Sequence, residues 1–188
     1  MKPDAGGWFS GVRRLPSPNF DRRPPRTAVT LLVIHSISLP PNEFGGSAIG
    51  QFFTNTLDCA AHPYYAQLRG VRVSSHFLVR RGGAVLQFVG CASRAWHAGV
   101  SQWRGRGRCN DFSIGIELEG CDTIPFAPQQ YRALAGLARH LLRAYPIRDI
   151  AGHADIAPGR KTDPGPCFDW PRFVRETRRA GSADAKNI

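Results

Sequence analysis

Apolar residues come in short blocks along this chain, each closed by glycine, proline or a group of charges. Thr30 to Ile37 (TLLVIHSI) is a continuous apolar run with β-branched residues, the pattern of a strand buried on both faces. His35 lies near its C-terminal end. Leu39 to Gly46 (LPPNEFGG) holds paired Pro and paired Gly and must be a loop. Ser47 is placed to cap a helix running to about Leu57. His76–Arg81 (HFLVRR) and Ala84–Val89 (AVLQFV) flank Gly82-Gly83, which predicts a hairpin with a two-residue turn. Phe112 to Glu119 (FSIGIELE) alternates apolar with small or acidic residues, as a strand does. From Ala127 to Tyr145, apolar positions recur at Leu134, Leu137, Ala138, Leu141 and Leu142, a helical spacing that Pro146 ends. Ile150–His153 reads as a short strand or strand end, and Asp155–Pro166 as a Pro/Gly-rich loop. Asp169 opens a last helix with Pro171 in its first turn. Beyond Arg179 the chain turns small and polar, so disorder is expected there.

Strands alternating with helices predict an α/β fold, a central mixed β-sheet flanked by helices. One domain is expected over residues 1–180, with 181–188 as a tail; 188 residues are enough to bury a single core. No apolar run approaches the roughly 20 residues of a membrane-spanning helix. Met1–Phe20 holds no apolar stretch of signal-peptide length, so a cytoplasmic location without a membrane partner is expected. The five cysteines are odd in number and form no CxxC pair. That disfavours a disulfide framework or a four-cysteine zinc site and points to free thiols in a reducing compartment. The net charge of +11 favours polyanions or carboxylate-rich ligands. Its basic residues are scattered, with local clusters at Arg22-Arg23, Arg104–Arg108 and Arg172–Arg179, and none forms a nucleic-acid motif. Nucleic acid is therefore not an expected partner.

Six histidines are present. His35 sits at a strand end, where side chains can face a cleft. His153 ends another short apolar segment, and Asp163 follows ten residues later within Lys161–Pro166. Two imidazoles and one carboxylate would leave a fourth position open for water, which is the coordination of a catalytic zinc. The spacing is too long for a local metal motif, and position alone suits ordinary buried or surface histidines as well. His140 is expected on the exposed face of the long helix. His62, before Pro63, should be exposed or a neighbour of the cleft. His76 should serve a structural hydrogen bond.

Longer stretches narrow the choice. Arg94–Gly120 (RAWHAGVSQWRGRGRCNDFSIGIELEG), His153 with its flanks, and Lys161–Trp170 (KTDPGPCFDW) closely resemble the cytoplasmic anhydro-N-acetylmuramyl-L-alanine amidases of cell-wall recycling. These belong to the wider N-acetylmuramoyl-L-alanine amidase and peptidoglycan-recognition family. Pro16–Asp21, Leu32–Gly46 and Val73–Gly82 extend the likeness to about Gly7–Phe173. A monomer is expected, and the resemblance implies one Zn2+ held through His35, His153 and Asp163 and cleavage of anhydro-muropeptides. It implies Glu117 as the catalytic carboxylate, Lys161 as the oxyanion-stabilising cation, and Arg72, Trp96, His97 and Arg108 as substrate-cleft residues. Ser36 departs from the pattern, since members often carry Asn beside the first ligand. Asp163 sets the chain apart from the phage branch, which usually has Cys there.

The implied chemistry is coherent. Zinc lowers the pKa of a bound water toward ~7, a carboxylate can carry the proton, and a cation can offset the negative oxygen of a tetrahedral intermediate. Glu119 is the rival base, on the same sheet face as Glu117. Trp96-His97 could stack on a sugar or simply pack. Arg72 and Arg108 could take stem-peptide carboxylates bidentately or remain solvated charges. Two other functions compete: a non-catalytic muropeptide-binding module of the same fold, and an exported amidase acting on intact wall. Non-catalytic relatives lose a ligand, whereas all three ligands, Glu117 and Lys161 are present here, and the missing signal argues against export.

Overall fold

A computed structural model describes residues 2–179; the tail expected from residue 181 lies outside the described residues. In chain order the strands are β1 (Arg13–Arg14), β2 (Phe20–Arg22), β3 (Leu31–Ile37), β4 (Phe77–Val79), β5 (Val85–Gln87), β6 (Ser93–Ala95), β7 (Gln102–Trp103), β8 (Arg106–Gly107), β9 (Ser113–Glu119) and β10 (Asp149–Gly152). The α-helices are α1 (Ala48–Phe53), α2 (Pro128–Ala144), α3 (His153–Ile156) and α4 (Trp170–Arg179). Six strands form one sheet in the order β1-β5-β4-β9-β3-β10. Its centre is parallel, β4 with β9, β9 with β3 and β3 with β10, while the β4–β5 hairpin is antiparallel. The expected mixed sheet is thus present.

Period-2 alternation decides which side chain goes where. Leu32 and Ile34 of β3 and Ile114, Ile116 and Leu118 of β9 face one way. They pack with Leu134, Leu137, Ala138 and Leu141 of α2 and Phe173 of α4. Each such buried Leu or Ile contributes about 1.5–3 kcal/mol. Leu31 and Val33 face the other way, against Phe112, Ala151 and Ile156. His35 shares that second face, and so do Ser113, Gly115, Glu117 and Glu119. The register pairs His35 with Glu117 near the C-terminal ends of two parallel strands. In open α/β sheets such ends are where ligands bind.

Three local expectations need correction. The helix from Ser47 stops at Phe53 rather than about Leu57, and the Ser47 side chain makes no cap bond. Asn55 turns left-handed (φ 61°), and Thr56 N and Asn55 N donate to Gln51 O and Phe52 O. That is a Schellman ending, which polar Asn allows. The hairpin loop has three residues, Arg81–Gly83, because Val79 pairs with Val85 and Arg80 N donates to Ala84 O. Gly83 takes φ 88°, the left-handed residue that three-residue hairpins place last. The Asp155–Pro166 loop begins inside the one-turn α3, where Asp155 Oδ2 accepts from Gly152 N at 2.7 Å. The two long helices fall as expected. Gln130 Oε1 accepts from Ala127 N at the start of α2, and Asp169 Oδ1 accepts from Arg172 N at the start of α4. His140 on α2 is partly exposed.

Candidate metal centre

Three separate pieces of chain build the site. β3 delivers His35 at its C-terminal end, and β10, parallel beside it, delivers His153 one residue past its own end. The loop after α3 returns on itself, and Ala154 N donates to Asp163 O at 2.9 Å. This holds Asp163 beside His153. His35 Nδ1 and His153 Nδ1 lie 3.0 Å apart, and Asp163 Oδ2 is 3.1 Å from each. Three donor atoms therefore stand at the corners of a nearly equilateral triangle. Around a tetrahedral zinc with bonds of ~2.0–2.1 Å, ligand atoms stand about 3.3 Å apart. The triangle is within a few tenths of an ångström of that spacing.

Protonation states agree with a cation site. Burial pushes His35 down to about 4, so its ring is neutral. Burial would raise Asp163, but its close contacts with the His153 and His35 rings hold it well below the usual carboxylate range. A neutral imidazole and an ionised carboxylate are the forms that ligate a metal. The second ring nitrogens are occupied: His153 Nε2 is 3.1 Å from Ala98 O, and His35 Nε2 is 2.9 Å from His97 Nδ1.

The triangle opens on a cleft of about 640 Å³ lined by Ser36, Trp96, His97, Glu117, His153, Lys161 and Asp163 among others. Glu117 is buried, and its Oε2 has no hydrogen-bond partner. Burial first, then the charge of Asp163, push its pKa well above the ordinary value, while Lys161 pulls the other way. Lys161 is exposed at the rim. Glu119, the rival base, is committed elsewhere. Its Oε1 accepts from Gly45 N at 2.6 Å, its Oε2 accepts from Arg81 N at 3.0 Å, and Arg80 Nε lies 3.3 Å away. It ties the loop ahead of α1 to the hairpin.

The remaining candidates separate. Trp96 lines the cleft. His97 is buried, its ring held between His35 and Ser113 Oγ. Arg72 is exposed and lines a smaller neighbouring pocket of about 140 Å³, which shares Phe52, Leu68 and Val71 with the cleft. Arg108 is exposed, pairs with Asp111 at 3.3 Å and is not among the lining residues. His62 caps the 3-10 turn Pro63–Leu68 by accepting from Tyr64 N. His76 is fully buried; its Nδ1 accepts from Gly115 N, and its Nε2 faces Ser93 O. Sequence reasoning missed Arg160, whose Nη2 donates to Ala98 O and Val100 O at 2.7 Å and bounds the pocket of His153. Only its place beside Lys161 could have drawn attention to it.

The sequence profile of the N-acetylmuramoyl-L-alanine amidase family matches residues 25–166, a span that holds the whole donor triangle, Glu117 and Lys161. The chain belongs to the N-acetylmuramoyl-L-alanine amidase family. It is 57% identical over 169 residues to the 1,6-anhydro-N-acetylmuramyl-L-alanine amidase AmpD of Escherichia coli K12, covering 89% of this chain and 92% of that one. A crystal structure of a selenomethionine AmpD derivative superposes with a TM-score of 0.90 at 52% identity, covering 94% of this chain and 99% of that one. The Escherichia coli amidase AmiD, solved with the substrate anhydro-N-acetylmuramic acid-L-Ala-D-γ-Glu-L-Lys, matches at a TM-score of 0.58 and 34% identity, covering 82% of this chain and 60% of that one. The amidase fold accounts for the mixed sheet and for a cleft at the ends of β3 and β9. Among the described residues no helix is long and apolar enough to cross a membrane.

Proposed function

We propose that this amidase hydrolyses the amide between (1,6-anhydro)-N-acetylmuramic acid and L-alanine in muropeptides, with one zinc ion held by His35, His153 and Asp163. The observation that carries this reading is the donor triangle beside a buried carboxylate with an unpartnered oxygen, both facing one open cleft. Bound zinc supplies Lewis-acid activation of a water and of the amide carbonyl. Glu117 takes the proton of the attacking water and passes it to the leaving nitrogen. Its raised pKa brings it toward the operating pH, as a shuttle requires. Lys161 at the rim offsets the charge that develops on the amide oxygen. The C–N bond breaks, water's oxygen ends on the muramic carboxyl, and the stem peptide leaves with a free amine.

Substrate binding extends outward. The ring of Trp96 offers a face for the sugar. Arg72 in the adjoining pocket, and Arg108 farther off, are cations for stem-peptide carboxylates; the substrate solved with AmiD carries a three-residue stem. We place the enzyme in the cytoplasm as a monomer working on released fragments, which its five free cysteines support. Mass spectrometry of an anhydro-muropeptide incubated with the zinc-loaded protein tests the reading. Free stem peptide with its anhydro-muramyl partner is expected. Tight binding with no cleavage would instead identify a binding module.

A further inference from the structure

We infer that His97 and Ser113 are positioning residues that fix the tautomer of His35, so that its Nδ1 lone pair faces the metal site. The inference rests on the metal-centre reading above, but its first test does not need the metal.

The proton positions are fixed from a carbonyl, a group that can only accept. Cys109 O lies 2.6 Å from Ser113 Oγ, so the single hydroxyl proton of Ser113 goes to that carbonyl. Ser113 Oγ is also 3.2 Å from His97 Nε2, and its proton is already used. His97 Nε2–H must therefore be the donor there. His97 Nδ1 faces His35 Nε2 at 2.9 Å. If both nitrogens of His97 carried protons, the ring would be a cation buried with no carboxylate against it, which is costly. So His97 Nδ1 accepts, and His35 Nε2–H donates. The only nitrogen of His35 left bare is Nδ1, the atom in the donor triangle. A ligand histidine is commonly oriented by an acceptor behind it; here the acceptor is a second histidine whose own direction is set by a hydroxyl and a carbonyl.

The backbone makes room for this relay. Gly115 lies on β9 between Ser113 and Glu117, on the same face. A Cβ on Gly115 would stand 2.6 Å from His97 Cγ and 2.7 Å from its Nδ1. Glycine inside a strand costs about 0.5–1 kcal/mol relative to alanine, and the ring of His97 is what occupies the space.

Without the relay, the Asp163 carboxylate 3.1 Å from His35 Nδ1 would draw the proton to that atom. Long-range 1H–15N correlation spectra of the metal-free protein decide this. Wild type should show His35 protonated at Nε2, and His97→Phe should move that proton to Nδ1. Zinc affinity, measured against a chromophoric chelator, should fall about 10–100-fold in His97→Phe. His97→Asn, which can still present an acceptor oxygen to His35, should recover most of it. Should His97→Phe not fold, Gly115→Ala displaces the ring without removing a polar group and should shift the tautomer and the affinity the same way. Wild-type His35 protonated at Nδ1 would overturn the inference. So would a folded His97→Phe or Gly115→Ala protein with unchanged tautomer and affinity. If the wild type binds no zinc, the amidase reading fails, while the tautomer still decides the relay.

Discussion

The two faces of the central sheet are equally buried and chemically opposite. On the α2/α4 face, Leu32, Ile34, Ile114, Ile116 and Leu118 pack into one apolar cluster with the two helices. On the cleft face, His35, Ser113, Glu117 and Glu119 are buried too, along the same two strands. The apolar face needs shape and volume alone, because hydrophobic burial has no direction. The polar face needs a partner for each atom. Ser113 and Glu119 have theirs, and His35 is held from both sides. Glu117 Oε2 has none. Glu117 thus keeps a buried carboxylate oxygen free for the proposed proton shuttle.

The sharpest break of that contrast is at the metal. His153→Ala should lose zinc and cleavage together, and chelation of the wild type should abolish cleavage until zinc is restored; metal analysis beside an activity assay reads both. Next comes the difference between the two glutamates. Glu117→Gln should keep zinc and lose turnover by ~10²–10⁴-fold, since it removes a proton carrier. Glu119→Gln should also keep zinc but act on stability, because it weakens the hold on Gly45, Arg80 and Arg81. Near-normal single-turnover rates in Glu117→Gln would sink the proposed shuttle. On the other face, Leu134→Ala should cost about 2–5 kcal/mol in urea unfolding with zinc content unchanged.

A smaller effect comes with acid. Burial and then the charge of Arg23 hold His76 at about 3 in the folded chain, against 6.5 as its ordinary value. Below pH 6.5 the unfolded chain takes a proton that the native ring refuses. Stability therefore falls as pH drops from about 6.5 toward 3, by about 2 kcal/mol between pH 6.5 and 5 from this group. Replacing His76 with Gln should flatten that slope; an unchanged slope would show the native ring is protonated. Least of all, Cys167→Ser should leave zinc content as it was, and loss of zinc there would implicate a cysteine ligand.

Much of this was legible in the chain. The apolar run at Thr30–Ile37 and the helical spacing from Ala127 set one strand of the core and the helix that covers it. Family likeness pointed to His35, His153 and Asp163, which periodicity could not single out, since they stand 118 and 10 residues apart. Local endings were less readable. Nothing in the apolar spacing announces that Asn55 will turn left-handed and stop α1 early.

What the sequence by itself determined is periodic or chemical: which residues alternate into a core, where Gly and Pro interrupt, and which side chains can ligate a metal or carry a proton. Which of those meet was decided by the parallel register of β3 with β9 and β10. That register places His35 beside Glu117 and brings His153 to within 3.0 Å of His35. Tertiary packing also sets His97 against His35 as well as on the cleft wall, and pairs Arg108 with Asp111. The physical reason is that a hydrogen bond or a ligand bond acts over about 3 Å, while the residues that make it can lie anywhere along the chain.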